Sequence, residues 1–77
     1  MNITRNITVL RIGEQAQIVD FANNLVARKL MAMGLLPGSS ITLVRSAPFG
    51  GAFYIKSEHH YIALRKEEAK QVLISND

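Results

Sequence analysis

The chain has no cysteine and no tryptophan, and only two of its 77 residues are proline. Without cysteine, a disulfide, a thiolate nucleophile, an iron–sulfur cluster and a cysteine zinc site are all excluded. The sequence has no run of about 18 apolar residues, so it predicts no membrane-spanning helix and no direct insertion into a membrane. Residues 1–8 also lack the continuous apolar stretch of a signal peptide, and we therefore expect a cytoplasmic protein.

The composition that remains is that of a small globular domain, with 48% hydrophobic and 19% charged residues. A chain this short buries only a little over ~60% of the surface that its unfolded form exposes. It has room for one compact core but not for a deep pocket sealed from water. The sequence also lacks the nucleophile-elbow and phosphate-loop motifs. We therefore expect a protein that is not an enzyme.

The charge balance is mildly basic, with a formal net charge of +3. The arginines and lysines are spread along the chain, whereas a nucleic-acid footprint needs a concentrated basic stripe. We therefore expect no nucleic-acid partner. The basic balance nevertheless leaves a small nucleic-acid-binding barrel open as an alternative function.

Hydrophobic spacing divides the chain into short elements behind a lead-in, residues 1–9, that we expect to be flexible. Five segments have the alternating or β-branched pattern of strands: 15–21, 41–45, 52–56, 60–64 and 72–74. A helix is predicted at 25–33, with an asparagine N-cap before it, Leu30 and Met33 on its core face, and Gly34 in a left-handed position after it. A further helical turn is predicted within 66–71. This order suggests an all-β fold with one short helix, a small five-stranded antiparallel barrel spanning residues 10–75, whose closure removes exposed strand edges.

Several apolar residues have no evident place in the core. Leu25, Met31 and Ala32 lie off the core face of the predicted helix, and Phe49 lies at the tip of a loop. Contiguous exposed apolar residues mark protein interfaces, although loop tips can also fold back onto the core. The residues that we predict to bind a protein partner are Leu25, Arg28, Met31, Ala32, Pro48, Phe49, Gly50 and Gly51.

The only cluster of metal-ligand residue types is Glu58, His59 and His60. Adjacent residues of a strand point to opposite faces, so His59 and His60 cannot easily share one ion. The cluster is interpreted as a polar hairpin tip, with a weak surface metal site completed by another chain as the alternative. We predict no dedicated metal site and no cofactor. Arg28 and Arg45 leave a second alternative open, an arginine finger that acts in trans on a GTPase.

Three runs of residues, at 28–41, 47–52 and 62–69, resemble the sequence pattern of the FeoA family. The run 28–41, RKLMAMGLLPGSSI, is similar to the family's segment between the helix and the second strand. The run 47–52, APFGGA, is similar to its glycine-containing loop, and the run 62–69, IALRKEEA, to its C-terminal motif. The resemblance covers about residues 10–74, and Ala52 departs from it because the family often has proline there.

The resemblance implies an SH3-like barrel that stands alone, since no helix-turn-helix precedes it, and that serves bacterial ferrous iron uptake in the cytoplasm. The partner it implies is the cytosolic G-protein domain of FeoB, the inner-membrane iron transporter. The matching residues serve the fold, and we transfer no catalytic role from them. We expect an accessory protein or adaptor that modulates the assembly or nucleotide cycle of the transporter, with weak self-association as a further expectation.

Overall fold

The computed structural model describes residues 5–75 of the chain. Six strands are present: β1 (Arg5–Asn6), β2 (Gln15–Phe21), β3 (Ser40–Ser46), β4 (Ala52–Lys56), β5 (Tyr61–Arg65) and β6 (Val72–Ile74). Helix α1 (Asn24–Ala32) connects β2 to β3, and the single turn of α2 (Lys66–Ala69) connects β5 to β6. Two 3₁₀ turns complete the chain, Ile7–Val9 after β1 and Pro48–Gly50 between β3 and β4.

The strands form one antiparallel sheet in the order β1-β6-β2-β3-β4-β5. Two bulges interrupt the ladders, between Ile18 and Asp20 of β2 and between Leu43 and Arg45 of β3. Bulges increase the local twist and bend a strand, so they allow this sheet to coil around its own apolar face.

The core lies inside the coiled sheet, where the inward side chains of the strands meet the helices. The alternation in β4 and β5 is complete, with every second residue buried. The buried apolar residues are Ile7, Leu10, Ala16, Ile18, Leu30, Leu35, Ile41, Leu43, Phe53, Ile55, Ile62, Leu64, Ala69, Val72 and Ile74. Leu30 carries the contribution of α1 to this core, because it is the residue of that helix that is fully buried.

The predicted lead-in at residues 1–9 needs correction for residues 5–9, while residues 1–4 lie outside the described part of the chain. Arg5 and Asn6 pair with Ile74 and Leu73 as β1, and the next residue, Ile7, is fully buried. A two-residue strand is too short to show a periodic pattern, so alternation could not reveal it. Within the described residues, the paired strands therefore begin at residue 5 and not at residue 10 or later.

The strand count also changes from five to six, because β1 adds to the outer edge of β6. Within residues 5–75 β1 and β5 are not paired, so the predicted closed barrel is an open, coiled sheet. The positions of the other strands and of both helices agree with the prediction to within two residues at each end. None of the helices in the described residues has the length and hydropathy needed to cross a membrane.

Candidate functional site

Helix α1 presents a stripe of exposed side chains that includes the residues predicted to bind a partner. The Asn23 side chain caps the helix, because its oxygen accepts hydrogen bonds from the amides of Leu25 at 2.8 Å and Val26 at 3.3 Å. Leu25 is 76% exposed and Met31 41% exposed. Residues three and four apart share a helix face, so Leu25 lies in line with Arg28, which is also exposed.

Two polar contacts fix the C-terminal half of this helix. Lys29 forms an ion pair and a hydrogen bond with the carboxylate of Glu68 in α2. At the C-terminal end, the ring Nε2 of His60 lies 3.0 Å from the carbonyl oxygen of Met33. The side chain of Met33 is 37% exposed, so its predicted place in the core was wrong. Leu30 is the one buried residue of α1 (Asn24–Ala32). The outer face of the helix is therefore open to solvent.

The second predicted segment is the turn between β3 and β4. Phe49 is fully exposed, with an accessible area that is 105% of the reference area of the residue, and its backbone has φ 67° and ψ 14°. A bulky residue in this left-handed region is an outlier, since the conformation costs roughly 1–2 kcal/mol for residues with a Cβ. A fully exposed phenylalanine in a strained backbone is therefore not explained by the packing of this domain. The prediction that Phe49 points away from the core agrees with this geometry.

Helix α2 lies beside both segments. Glu68 meets Lys29 of α1, and a Cβ built on Gly50 would lie 3.8 Å from the Lys66 side chain. Lys66 and Glu68 are two residues apart in the same helical turn, so the α1 face and the turn flank one short element. We call this region the α1–turn surface. Its residues are Leu25, Arg28, Met31, Ala32, Phe49, Gly50 and Gly51, and Pro48 is the first residue of the same turn.

The centre of the α1–turn surface is charged. The hydrogen bond from Lys29 lowers the pKa of Glu68 below its ordinary value, and a second hydrogen bond from the backbone amide of Arg65 acts in the same direction. Glu68 is therefore ionised at neutral pH and holds Lys29 in place. An ion pair between the two helices thus lies between the two apolar segments.

The metal-ligand residue types of the sequence do not converge. Glu58 and His59 form the exposed turn between β4 and β5, which the hydrogen bond from the Ser57 amide to the His60 carbonyl oxygen closes at 2.9 Å. His59 Nε2 and Glu58 Oε2 are 3.8 Å apart, whereas the ring of His60 faces Met33. Within residues 5–75, no group of three or more histidine or acidic side chains could hold a metal ion.

The described residues also offer no activated nucleophile. In residues 5–75, no serine hydroxyl is hydrogen-bonded to an imidazole or to a carboxylate; the hydroxyl of Ser57, for example, donates to the backbone oxygen of His60. The two arginines considered as fingers are both exposed but on different elements, Arg28 on α1 and Arg45 on β3. The structure therefore places only Arg28 within the α1–turn surface.

Sequence reasoning missed part of the exposed apolar area. Leu36 is 50% exposed, although it directly follows Leu35, which is fully buried. Tyr54 and Tyr61 are 40% and 68% exposed on the outer side of β4 and β5. The alternation of those strands predicted that Tyr54 faces away from Phe53 and Ile55, but no site was inferred from it.

Comparison with known proteins identifies the family pattern over nearly the whole chain. The model of the FeoA domain matches residues 5–76. A relative from Porphyromonas gingivalis, an Fe(2+) transport protein A/Fe(2+) transporter FeoB fusion protein, is 34% identical over 64 residues. The match covers 82% of this chain but only 8% of the fusion protein.

Solved structures show the same fold. A FeoA-like protein from Clostridium acetobutylicum superimposes with a TM-score of 0.87 at 26% identity, covering 97% of this chain and 88% of that one. The FeoA of Stenotrophomonas maltophilia, solved in complex with zinc and described as a prokaryotic SH3 domain protein, gives a TM-score of 0.75 at 27% identity, covering 95% and 89%. The predicted SH3-like fold is therefore confirmed.

Proposed function

The chain belongs to the FeoA family, and we propose that it is a non-catalytic cytoplasmic accessory protein of bacterial ferrous iron uptake. Its partner is the cytosolic G-protein region of the membrane transporter FeoB, whose assembly or nucleotide cycle it modulates. The relative from Porphyromonas gingivalis supports this partner, because the two proteins are joined in one polypeptide there. Fusion keeps two proteins at a high effective concentration, which is useful when they act by contact.

The observation that carries the proposal is the exposure of Leu25 and Phe49 on either side of α2. Burying both side chains in a partner removes apolar surface from water, and each contributes about 1.5–3 kcal/mol when it is fully covered. Aromatic side chains are also enriched in the centres of protein interfaces. The strain at Phe49 supports the same interpretation, since nothing inside the domain benefits from it.

Binding to the purified G-protein region of the transporter from the same organism tests the proposal directly. We expect calorimetry to detect binding of the wild type and at least about a hundredfold weaker binding of the double variant Leu25→Asp/Phe49→Asp, because two carboxylates would be buried unpaired. The matched control is Ile12→Asp/Val19→Asp, which makes the same changes at two other exposed positions, 67% and 52% exposed. Equal binding of both double variants would show that the α1–turn surface does not contact the G-protein region.

The effect on the nucleotide cycle needs a separate measurement. Multiple-turnover GTP hydrolysis by the same G-protein region is compared with and without this protein, and with Arg28→Ala and Arg45→Ala. An accessory protein that acts by contact alone leaves the chemical step to the GTPase, so we expect neither variant to change the rate when this protein is present at a saturating concentration. A loss of stimulation of about a thousandfold or more with one arginine variant would instead identify an arginine finger.

A further inference from the structure

The outer face of the sheet carries a second group of exposed side chains that the α1–turn surface does not include. In the ladder between β4 and β5, Tyr54 lies opposite Ala63, and Lys56 lies opposite Tyr61. Arg45 of β3 lies opposite Tyr54 on the other side of β4. These residues, together with Arg65 at the end of β5, are all exposed. We call them the tyrosine face; its members are Arg45, Tyr54, Lys56, Tyr61, Ala63 and Arg65.

The two tyrosines form the centre of this face. They are diagonal neighbours on adjacent strands, a position that places side chains about 7–8 Å apart and within reach of each other. The Nζ of Lys56 lies 5.9 Å from the centre of the Tyr61 ring, within the range of a cation–π contact. Ala63 leaves space beside Tyr54, because its side chain is a single methyl group. The result is a shallow aromatic area with small and cationic residues around it.

The charged side chains that the strands of this face carry are all basic. The strands β3, β4 and β5 contain Arg45, Lys56 and Arg65 but no aspartate or glutamate. Carboxylates lie in the adjoining elements: Glu58 of the turn after β4 lies near His59, and Glu68 of α2 accepts a hydrogen bond from the Arg65 amide and pairs with Lys29. An acidic residue directly opposite a lysine or arginine on the neighbouring strand stabilises a sheet. The stability of the sheet alone would therefore favour acidic residues in these three strands, and they contain none.

We propose that the tyrosine face is a second docking surface, and that it binds an acidic segment of a protein. Tyrosine and arginine are the residue types most enriched among those that dominate binding energy in protein interfaces. Three cations on strands that carry no carboxylate favour a partner of negative charge, and opposite potentials both steer the encounter and exclude wrong partners. The protein is then a two-sided adaptor, with one apolar surface and one aromatic, basic surface.

Other occupants fit this face less well. A second copy of the chain would bring three cations against three cations, and like charges in an interface cost several kcal/mol. A single-stranded nucleic acid would need open ring faces for stacking, but Lys56 covers one face of Tyr61. An anionic membrane is recognised by denser groups of about four to eight basic residues.

The inference is independent of the proposed function, because the two surfaces share no residue, and it can be tested without the transporter. The probe is a short fluorescent peptide of alternating glutamate and leucine, titrated with the full chain at low salt. We expect saturable binding that weakens about tenfold when salt is raised from about 50 mM to about 200 mM, since exposed charges are screened over this range. Amide NMR spectra of the labelled protein should show shifts concentrated at Tyr54, Tyr61 and Ala63.

The matched pair of variants is Lys56→Glu and Lys70→Glu, which change the overall charge equally at two exposed lysines. We expect Lys56→Glu to weaken peptide binding at least about tenfold and Lys70→Glu by less than about twofold, because only the first reverses a charge of the face. Tyr61→Ala should also weaken binding, whereas Leu25→Asp should not. Equal effects of the two lysine variants, NMR shifts outside the face, or tighter binding of an oligothymidine strand or of phosphatidylglycerol vesicles than of the peptide would overturn the proposal.

Discussion

The imidazole of His60 closes the C-terminal end of α1, with Nε2 lying 3.0 Å from the carbonyl oxygen of Met33. A carbonyl oxygen only accepts hydrogen bonds, so Nε2 is the nitrogen that carries the proton. The last carbonyls of a helix have no partner within the helix, and the ring satisfies one of them. This contact ties the helix to the start of β5 and holds the outer face of α1 in a constant orientation.

The same contact makes Gly34 sensitive to substitution. Gly34 has φ +96°, and a Cβ built there would lie 3.1 Å from the Cε1 atom of His60. We expect Gly34→Ala to destabilise the protein by about 2–3 kcal/mol, of which about 1–2 kcal/mol is backbone strain. Urea unfolding monitored by circular dichroism measures the change.

Gly38 provides the matched control for this substitution. Its φ is +92°, but a Cβ there would have nothing within 4 Å. Gly38→Ala should therefore cost only the strain of about 1–2 kcal/mol. If the two alanine variants had the same free energy of unfolding, the close approach of the new Cβ to His60 would add nothing to the cost of the substitution at Gly34.

The attachment of α1 depends on one buried side chain. Leu30 is fully buried, so Leu30→Ala leaves a cavity and should cost about 2–5 kcal/mol. The total stability of a domain this small is about 5 kcal/mol. We therefore expect a thermal melt to show that this variant is largely unfolded already at room temperature. Leu36→Ala is the control, because Leu36 is half exposed and its loss should cost less than about 1 kcal/mol. A melting temperature of Leu30→Ala equal to that of the wild type would contradict the packing of α1.

Local patterns predicted most of the fold because each strand repeats a simple alternation. In β4 the buried Phe53 and Ile55 alternate with exposed residues, so both the position and the inward side of the strand could be recognised. The ends of α1 could also be recognised locally. An asparagine N-cap (Asn23) and a left-handed glycine after the helix (Gly34) are each signalled by a single residue type at a single position. Strand β1 could not be recognised, because it exists only through pairing with β6, and even its closer pair, Asn6 with Leu73, is 67 positions apart in the sequence.

The site was only partly predictable, because exposure depends on tertiary contacts. Leu25 and Phe49 could be selected from the sequence as apolar residues without a core position. That both segments flank α2 could not be predicted, because it depends on the contacts of Lys29 and Lys66 across the fold. The left-handed backbone of Phe49 was also unpredictable, since glycine is the residue type that normally signals it.

Stability should fall at acidic pH through two carboxylates. The backbone amide of Arg11 lowers the pKa of Glu14, and the side chain of Lys29 lowers the pKa of Glu68. Because the pKa of each carboxyl is lower in the folded state, the unfolded state takes up protons first as the pH falls. The stabilisation is therefore present above the ordinary glutamate pKa of about 4.3 and is lost as the pH falls through the lower pKa values of the folded state. The free energy of unfolding in urea should therefore decrease below about pH 4.

Replacing one carboxyl at a time separates this effect from general acid denaturation. Glu68→Gln should be less stable than the wild type at neutral pH and should lose less stability on acidification. Glu67→Gln changes the neighbouring residue, which forms no ion pair within residues 5–75, and should keep the pH dependence of the wild type. Identical pH profiles of all three proteins would show that the ion pair with Lys29 does not contribute.

Phe49 is expected to be a residue whose replacement stabilises the fold while it weakens partner binding. Asparagine tolerates the left-handed conformation better than phenylalanine, and the exposed ring makes no contribution to the core. Phe49→Asn should therefore raise the free energy of unfolding by up to about 1 kcal/mol. The same variant should bind the G-protein region of the transporter about tenfold or more weakly, because a buried aromatic anchor is lost. A variant that is less stable than the wild type would mean that the ring packs against the domain, and the strain at Phe49 would then have a structural cause rather than a functional one.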